Sequence, residues 1–135
     1  MKKFEYFEHT ADILFKAYGK DVNEVFKNAA LAMFQVMVEE KINAKIKKKF
    51  KVEGKDYESL LYNFLEEFLF LLDAEDFLLS NISRIKMRDN KLEADITGDK
   101  ASDYKFTNDV KAVTYNQMFV RKQGNKFIIQ VVLDV

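Results

Sequence analysis

The stretch "QGNKFIIQVVLDV", residues 123–135, decides the fold. Phe127, Ile129, Val131 and Leu133 recur with a period of two, the spacing of one face of a β-strand. Ile128 and Val132 make the other face apolar as well. A strand apolar on both faces belongs in the middle of a sheet, covered on both sides. Gln123-Gly124-Asn125 reads as a hairpin turn, so an antiparallel partner lies just upstream. The apolar run is broken near its end by Asp134, one residue before Val135.

A second acid sits in a similar place at the other end of the chain. In "EHTADI", residues 8–13, Asp12 opens the apolar run "DILFKAY" (12–18), which reads as a strand closed by Gly19. Asp21 then caps a helix, with Glu24 three residues on in an Asp version of the capping box. Val22, Val25, Phe26, Ala29, Met33, Val36 and Met37 follow at helical spacing. "INAKIKKKFKVEG" (42–54) alternates, with Ile46, Phe50 and Val52 on one face and Lys45, Lys47, Lys49 and Lys51 on the other. "DYESLLYNFLEEFLFLLDAEDFL" (56–78) predicts a second helix. Its apolar stripe is wide, so it is expected to be the more buried of the two. "ISRIKMRDNKLEADITG" (82–98) reads as a hairpin turning at Asp89-Asn90, two residues that tolerate the left-handed region. A polar connector, "DKASDYKFTND", leads to the final hairpin. Strand, helix, strand, helix, hairpin, hairpin is an α+β fold in a single domain, 1–135, with a mixed or antiparallel sheet.

Composition narrows the function. The chain has 135 residues, 22 Lys plus Arg and 22 Asp plus Glu, so it lacks the global positive excess of a non-specific nucleic-acid binder. There is no cysteine, which removes disulfides, thiolate metal sites and cysteine catalysis. The N-terminus has no apolar run behind Lys2 and Lys3, unlike a signal peptide. The densest apolar block is interrupted by Asn63, Glu66 and Glu67, unlike a membrane span. A soluble cytoplasmic protein is expected.

Five features carry candidate chemistry. The lysines at 45, 47, 49 and 51, with Arg84, Lys86 and Arg88, suit RNA phosphates. They suit equally a solvated face or an edge strand guarded by charge, and that is the simpler reading. His9 is the only histidine, and no metal-ligand spacing or nucleophile elbow accompanies it. Asp12 reads alone as a turn or strand-end residue. Brought together with Asp134 and a carboxylate at Val135, it would make an all-oxygen set suited to Ca²⁺ or Mg²⁺ rather than Zn²⁺. Asp73, Glu75 and Asp76 read as a surface loop, and Lys111 as a cation snorkelling from an apolar segment.

Six motifs taken in order resemble one family. They are "HTADI" (9–13), "AYG" (17–19), "NAALAMF" (28–34), "LLYNFLEEFLFLLDAE" (60–75), "VKAVTY" (110–115) and "VVLDV" (131–135). This combination resembles the archease family from end to end. The resemblance implies a strand-helix-strand-strand unit with a second such module inserted. It implies a non-enzymatic protein cofactor of the RtcB-type RNA ligase. That ligase joins a 2′,3′-cyclic-phosphate or 3′-phosphate end to a 5′-hydroxyl, with GTP and Mn²⁺, chiefly in tRNA splicing. The family's role is to promote guanylylation of the ligase and multiple turnover, reaching tRNA indirectly through the ligase. It further implies that Asp12, Asp134 and Val135 hold a divalent metal, Ca²⁺ first, with Mg²⁺ or Mn²⁺ as alternatives. His9, Asp73 and Lys111 are then candidate ligase contacts. Where the family usually has a His after "VKAVTY" this chain has Asn116, and where it commonly has Trp in the second helix motif this chain has Phe64. A stand-alone RNA-binding module or RNA chaperone using the lysine-rich strand is the rival. A metal-dependent hydrolase is the weakest reading, because only His9 is on hand as a base.

Overall fold

The structure, a computed structural model, describes residues 2–8 and 12–135. Its elements are β1 (Phe4–Glu8), β2 (Asp12–Gly19), α1 (Val22–Met37), β3 (Ile46–Glu53), α2 (Tyr57–Glu75), β4 (Phe77–Arg88), β5 (Lys91–Lys100), β6 (Ala112–Gln123) and β7 (Lys126–Asp134). A single 3₁₀ turn, Ala101–Asp103, follows β5. The strands form two sheets, ordered β1-β2-β7-β6 and β3-β5-β4, and every pairing is antiparallel. The α+β expectation holds, and of its two sheet types the antiparallel one is found. β7 is central, as its two apolar faces require: Ile129, Val131, Val132 and Leu133 are all buried.

The two sheets are built by two copies of one plan. The outer module is β2-α1 followed, after an insertion, by β6-β7. The inserted module is β3-α2-β4-β5. In both, the first strand lies against the last, giving the orders β2-β7-β6 and β3-β5-β4. The junctions match residue for residue. Gly19-Lys20-Asp21 leads into α1 and Gly54-Lys55-Asp56 into α2. Each Asp caps its helix, Asp21 accepting from Glu24 N–H at 2.8 Å and Asp56 from Ser59 N–H at 2.8 Å. The third helical residue reciprocates: Glu24 Oε1 accepts from Lys20 N–H (3.0 Å), and Ser59 Oγ from Lys55 N–H (2.7 Å). The glycines share a reason. A Cβ on Gly19 would stand 2.5 Å from the Val25 nitrogen, and one on Gly54 2.5 Å from the Leu60 nitrogen.

One core serves both modules. Phe26 meets Phe64 at 5.6 Å between ring centroids, Phe64 meets Phe68 at 5.1 Å, and Phe68 meets Phe34 and Phe50 at 5.6 and 5.3 Å. Each helix lies on its own sheet and also touches the edge strand of the other, α1 against β4 and α2 against β6.

Three expectations are corrected. α1, not α2, is the more buried helix, with ten buried residues of 16 against seven of 19. The connector after β5 docks along it: Thr107 N–H donates to the Met37 carbonyl (2.8 Å) and Asn108 Nδ2 to the Val36 carbonyl (3.0 Å). α2 stops at Glu75 because Asp76 takes a left-handed conformation (φ 53°), and its carboxylate accepts from Ser102 N–H and Oγ. Phe77, Leu78 and Leu79 therefore start β4, all buried. Finally, β1 was not expected as a strand. It is pinned by Tyr6, whose hydroxyl donates to the Ala32 carbonyl of α1 at 2.7 Å. The turn at Asp89-Asn90 does form, with φ of 53° and 60°.

Candidate metal centre

Asp12 is the first residue of β2, and its register partner on β7 is Asp134. Two acids 122 positions apart are thus direct cross-strand neighbours. Residues directly opposite in a ladder carry their Cβ atoms about 4.5–5.5 Å apart, and like charges so placed destabilise each other. Asp134 is exposed, and among the described residues it makes no ion pair. Asp12 is half-buried, with Oδ1 sealed from solvent.

The surroundings hold the pair in place. β6 flanks Asp134 on its other side through Ala112, and Lys111 N–H donates to the Asp134 carbonyl at 2.7 Å. Val135 packs its side chain against the core. Asp12 also lines an open cavity of about 500 Å³ together with Tyr6, Phe7, Gln35, Glu39 and Asn108. The character of the site comes from two carboxylates in register.

The inserted module supplies an internal comparison. At the matching corner, where β3 begins beside the end of β5, Lys45 N–H donates to the Gly98 carbonyl at 2.8 Å. Lys45 Nζ lies 4.0 Å from Asp99 Oδ2. Asp99 is also satisfied by the Tyr104 hydroxyl (2.7 Å) and the Lys100 N–H (2.8 Å). The Tyr104 hydrogen bond, with the Lys100 N–H and the nearby lysines, holds its carboxyl below the usual range. One corner of the fold therefore meets an acid with a lysine, and the other meets an acid with an acid.

Two carboxylates in register supply oxygen donors of the kind that suit a hard divalent cation. Among the described residues no group of three or more Asp, Glu, His or Cys side chains could hold a metal. Asp12 and Asp134 are two such groups, and the third donor expected from the sequence is a main-chain carboxylate at Val135. Of the other expected contact residues, Lys111 sits beside the pair through its backbone. Asp73 is exposed in the last turns of α2 and does not line the Asp12 cavity. His9 lies outside the described residues. Gln35, Glu39 and Asn108 were not foreseen: no motif marks them, and Asn108 is brought there by docking of the connector on α1.

Comparison with known proteins agrees with this architecture. The archease protein family model matches residues 4–135. Protein archease of Sulfurisphaera tokodaii is 40% identical over 139 residues, covering all of both chains. That of Methanosarcina mazei is 39% identical, covering 99% of this chain and 97% of the relative. The solution structure of Methanobacterium thermoautotrophicum protein 1598 superposes with a TM-score of 0.86 at 37% identity, over 100% of both chains. The crystal structure of an archease from Thermotoga maritima, described as a possible chaperone, shares the fold with a TM-score of 0.67 at 20% identity. It covers 96% of this chain and 94% of that one. Matched from Phe4 to Val135, the chain belongs to the archease protein family.

Proposed function

We propose that this protein is a non-enzymatic activator of an RtcB-type RNA ligase in the cytoplasm, acting in tRNA splicing through a divalent metal held at the Asp12–Asp134 corner. The observation that carries the reading is the direct register of these two acids across the β2–β7 ladder, in a chain of this family. Asp12 and Asp134 hold the cation, with Val135 as a third donor. Ca²⁺ suits an all-oxygen set of adjustable geometry, and Mg²⁺ and Mn²⁺ are the alternatives. When bound, the cation supplies positive charge where a partner's nucleotide phosphates gather. The chain's own residues give that charge a fixed position: β7 is central, β2 and β6 brace it, and Lys111 N–H ties the Asp134 carbonyl. Lys111 itself is exposed beside the pair and offers a cation to phosphate or to a carboxylate of the ligase. His9 and Asp73 are further candidate contacts.

The test is ligase turnover. The cognate ligase is mixed with excess tRNA halves and GTP, with and without a trace of this protein, and the assay is repeated with Asp12→Ala. Turnover beyond one per ligase with the wild type, lost in the variant, is the expected result. No effect of the wild-type protein sinks the reading.

A further inference from the structure

The basic residues singled out in the sequence turn out to share one surface. In the three-stranded sheet the register gives four rows on the face away from the helices. They run Lys47–Thr97–Asn81, Lys49–Asp95–Arg84, Lys51–Glu93–Lys86 and Glu53–Lys91–Arg88. Alternate residues Ile46, Phe50, Val52, Leu92, Ala94 and Ile96 point to the core instead. A bulge between Ile82 and Arg84 makes this possible on β4. It keeps Ile82 buried while turning Arg84 outward with Lys86 and Arg88. The face carries seven cations and three carboxylates, a net charge of +4, in a chain whose total is zero. Lys45 and Lys48 are not part of it: the first turns to Asp99 and the second to Glu75 (2.6 Å).

Cross-strand pairing does not use up these charges. Each of the two middle rows sets one acid between two cations, and Lys49 reaches Asp95 only at 3.8 Å, with its side chain 77% exposed. Exposed pairs of this kind contribute about 0–1 kcal/mol and exchange partners readily. The outer strands stand about 10 Å apart, and the cations on each recur about 6.7 Å apart along the strand. The twelve positions include no apolar or aromatic side chain. A face without aromatics offers no platform for stacking unpaired bases. A face without apolar groups offers nothing to insert into a lipid surface.

We propose that this face binds the phosphate backbone of a nucleic-acid double helix, through Lys47, Lys49, Lys51, Arg84, Lys86 and Arg88. It reads charge and shape, with no base readout. This goes beyond the activator reading and uses a different surface, so either can fail alone.

The test is fluorescence anisotropy with the full chain and no ligase, using a labelled RNA hairpin, the matching DNA hairpin, an unstructured single-stranded RNA and acidic phospholipid vesicles. Neutralising four phosphates corresponds to a slope of log K on log salt of about −3.6, and a loss of about a hundredfold between about 50 and 200 mM salt. The variant Lys49→Gln/Lys51→Gln/Arg84→Gln/Lys86→Gln is compared with Lys20→Gln/Lys105→Gln/Lys122→Gln/Lys126→Gln, which removes the same charge from exposed positions elsewhere. Circular dichroism confirms that both are folded. The expected result is hairpin binding that the first variant loses at least tenfold and the second keeps. A tighter RNA hairpin assigns the site to A-form geometry, and equal hairpins assign it to the backbone alone; both uphold the proposal. No hairpin binding at low salt, equal losses in the two variants, or preference for single strands or vesicles overturns it.

Discussion

Asp12 faces Asp134 in direct register across the β2–β7 ladder, whereas the duplicate module sets Lys47 opposite Thr97 at the equivalent register and Lys45 beside Asp99 at the corner itself. On the proposed cation reading, two like charges in register repel each other, and a bound cation offsets that repulsion. Asp134→Asn is expected to raise stability in chelator by about 0.5 kcal/mol, the scale of a cross-strand like-charge contact. Ca²⁺ at a hundredfold excess over its Kd is expected to add about 2.7 kcal/mol to the wild type. The variant loses that gain. Urea unfolding with and without Ca²⁺ measures both, and a calcium response that survives in Asp134→Asn would remove Asp134 from the ligand set.

The core prediction centres on Phe68. It is fully buried and meets the rings of Phe34, Phe50 and Phe64. Phe68→Ala opens a cavity between the two modules and is expected to cost about 3–5 kcal/mol. Because this core is shared, unfolding of the variant should stay a single transition in both near- and far-ultraviolet circular dichroism. Two separated transitions would mean that the modules fold independently.

Gly54 tests the matched junctions. Its added Cβ would meet main chain at the Leu60 nitrogen, at 2.5 Å, which cannot swing aside as a side-chain tip can. Gly54→Ala is expected to destabilise by about 3 kcal/mol, at the upper end of overpacking costs. Gly19→Ala should match it to within about a factor of two, in keeping with the usual context dependence of such costs. A neutral result at either position, by thermal or urea unfolding, would show that the junction relaxes.

Acid sensitivity follows from Asp99. The Tyr104 hydroxyl, the Lys100 N–H and the nearby lysines hold its carboxyl below the usual range. A depressed carboxylate contributes stability above its unfolded pKa and loses it as pH falls through the folded value. Wild-type stability should therefore decline from about pH 4 downward more steeply than that of Asp99→Asn. Parallel acid limbs in the two proteins would assign no such role to Asp99.

Much of this was legible in the chain. Period-two spacing in Phe127–Leu133 marked a central strand, and the Asp21 cap with its apolar spacing marked α1. β1 was missed because "FEYFE" is short, and its pinning bond runs from Tyr6 to Ala32, 26 residues away. The relative burial of the helices was misjudged from stripe width. Burial depends on what a helix is packed between, and the connector that covers α1 arrives from residues 104–110. The repeated Gly-Lys-Asp at 19–21 and 54–56 was readable and carries the duplication, but only its structural equivalence shows what it means.

What the sequence determined by itself is local: strand and helix periods, caps, the Asp89-Asn90 turn, and two acids each at the end of an apolar run. These depend on neighbours within a few residues, where spacing alone sets which face a side chain occupies. What only the tertiary structure decided is partnership. Antiparallel pairing of the first and last long strands puts Asp12 opposite Asp134, and a one-residue bulge at Ser83 puts Arg84 on the same face as Lys49. A ladder's register is set by strand order and by single inserted residues, and a shift of one residue sends every side chain to the other face. Spacing within one strand carries no information about which strand will lie beside it.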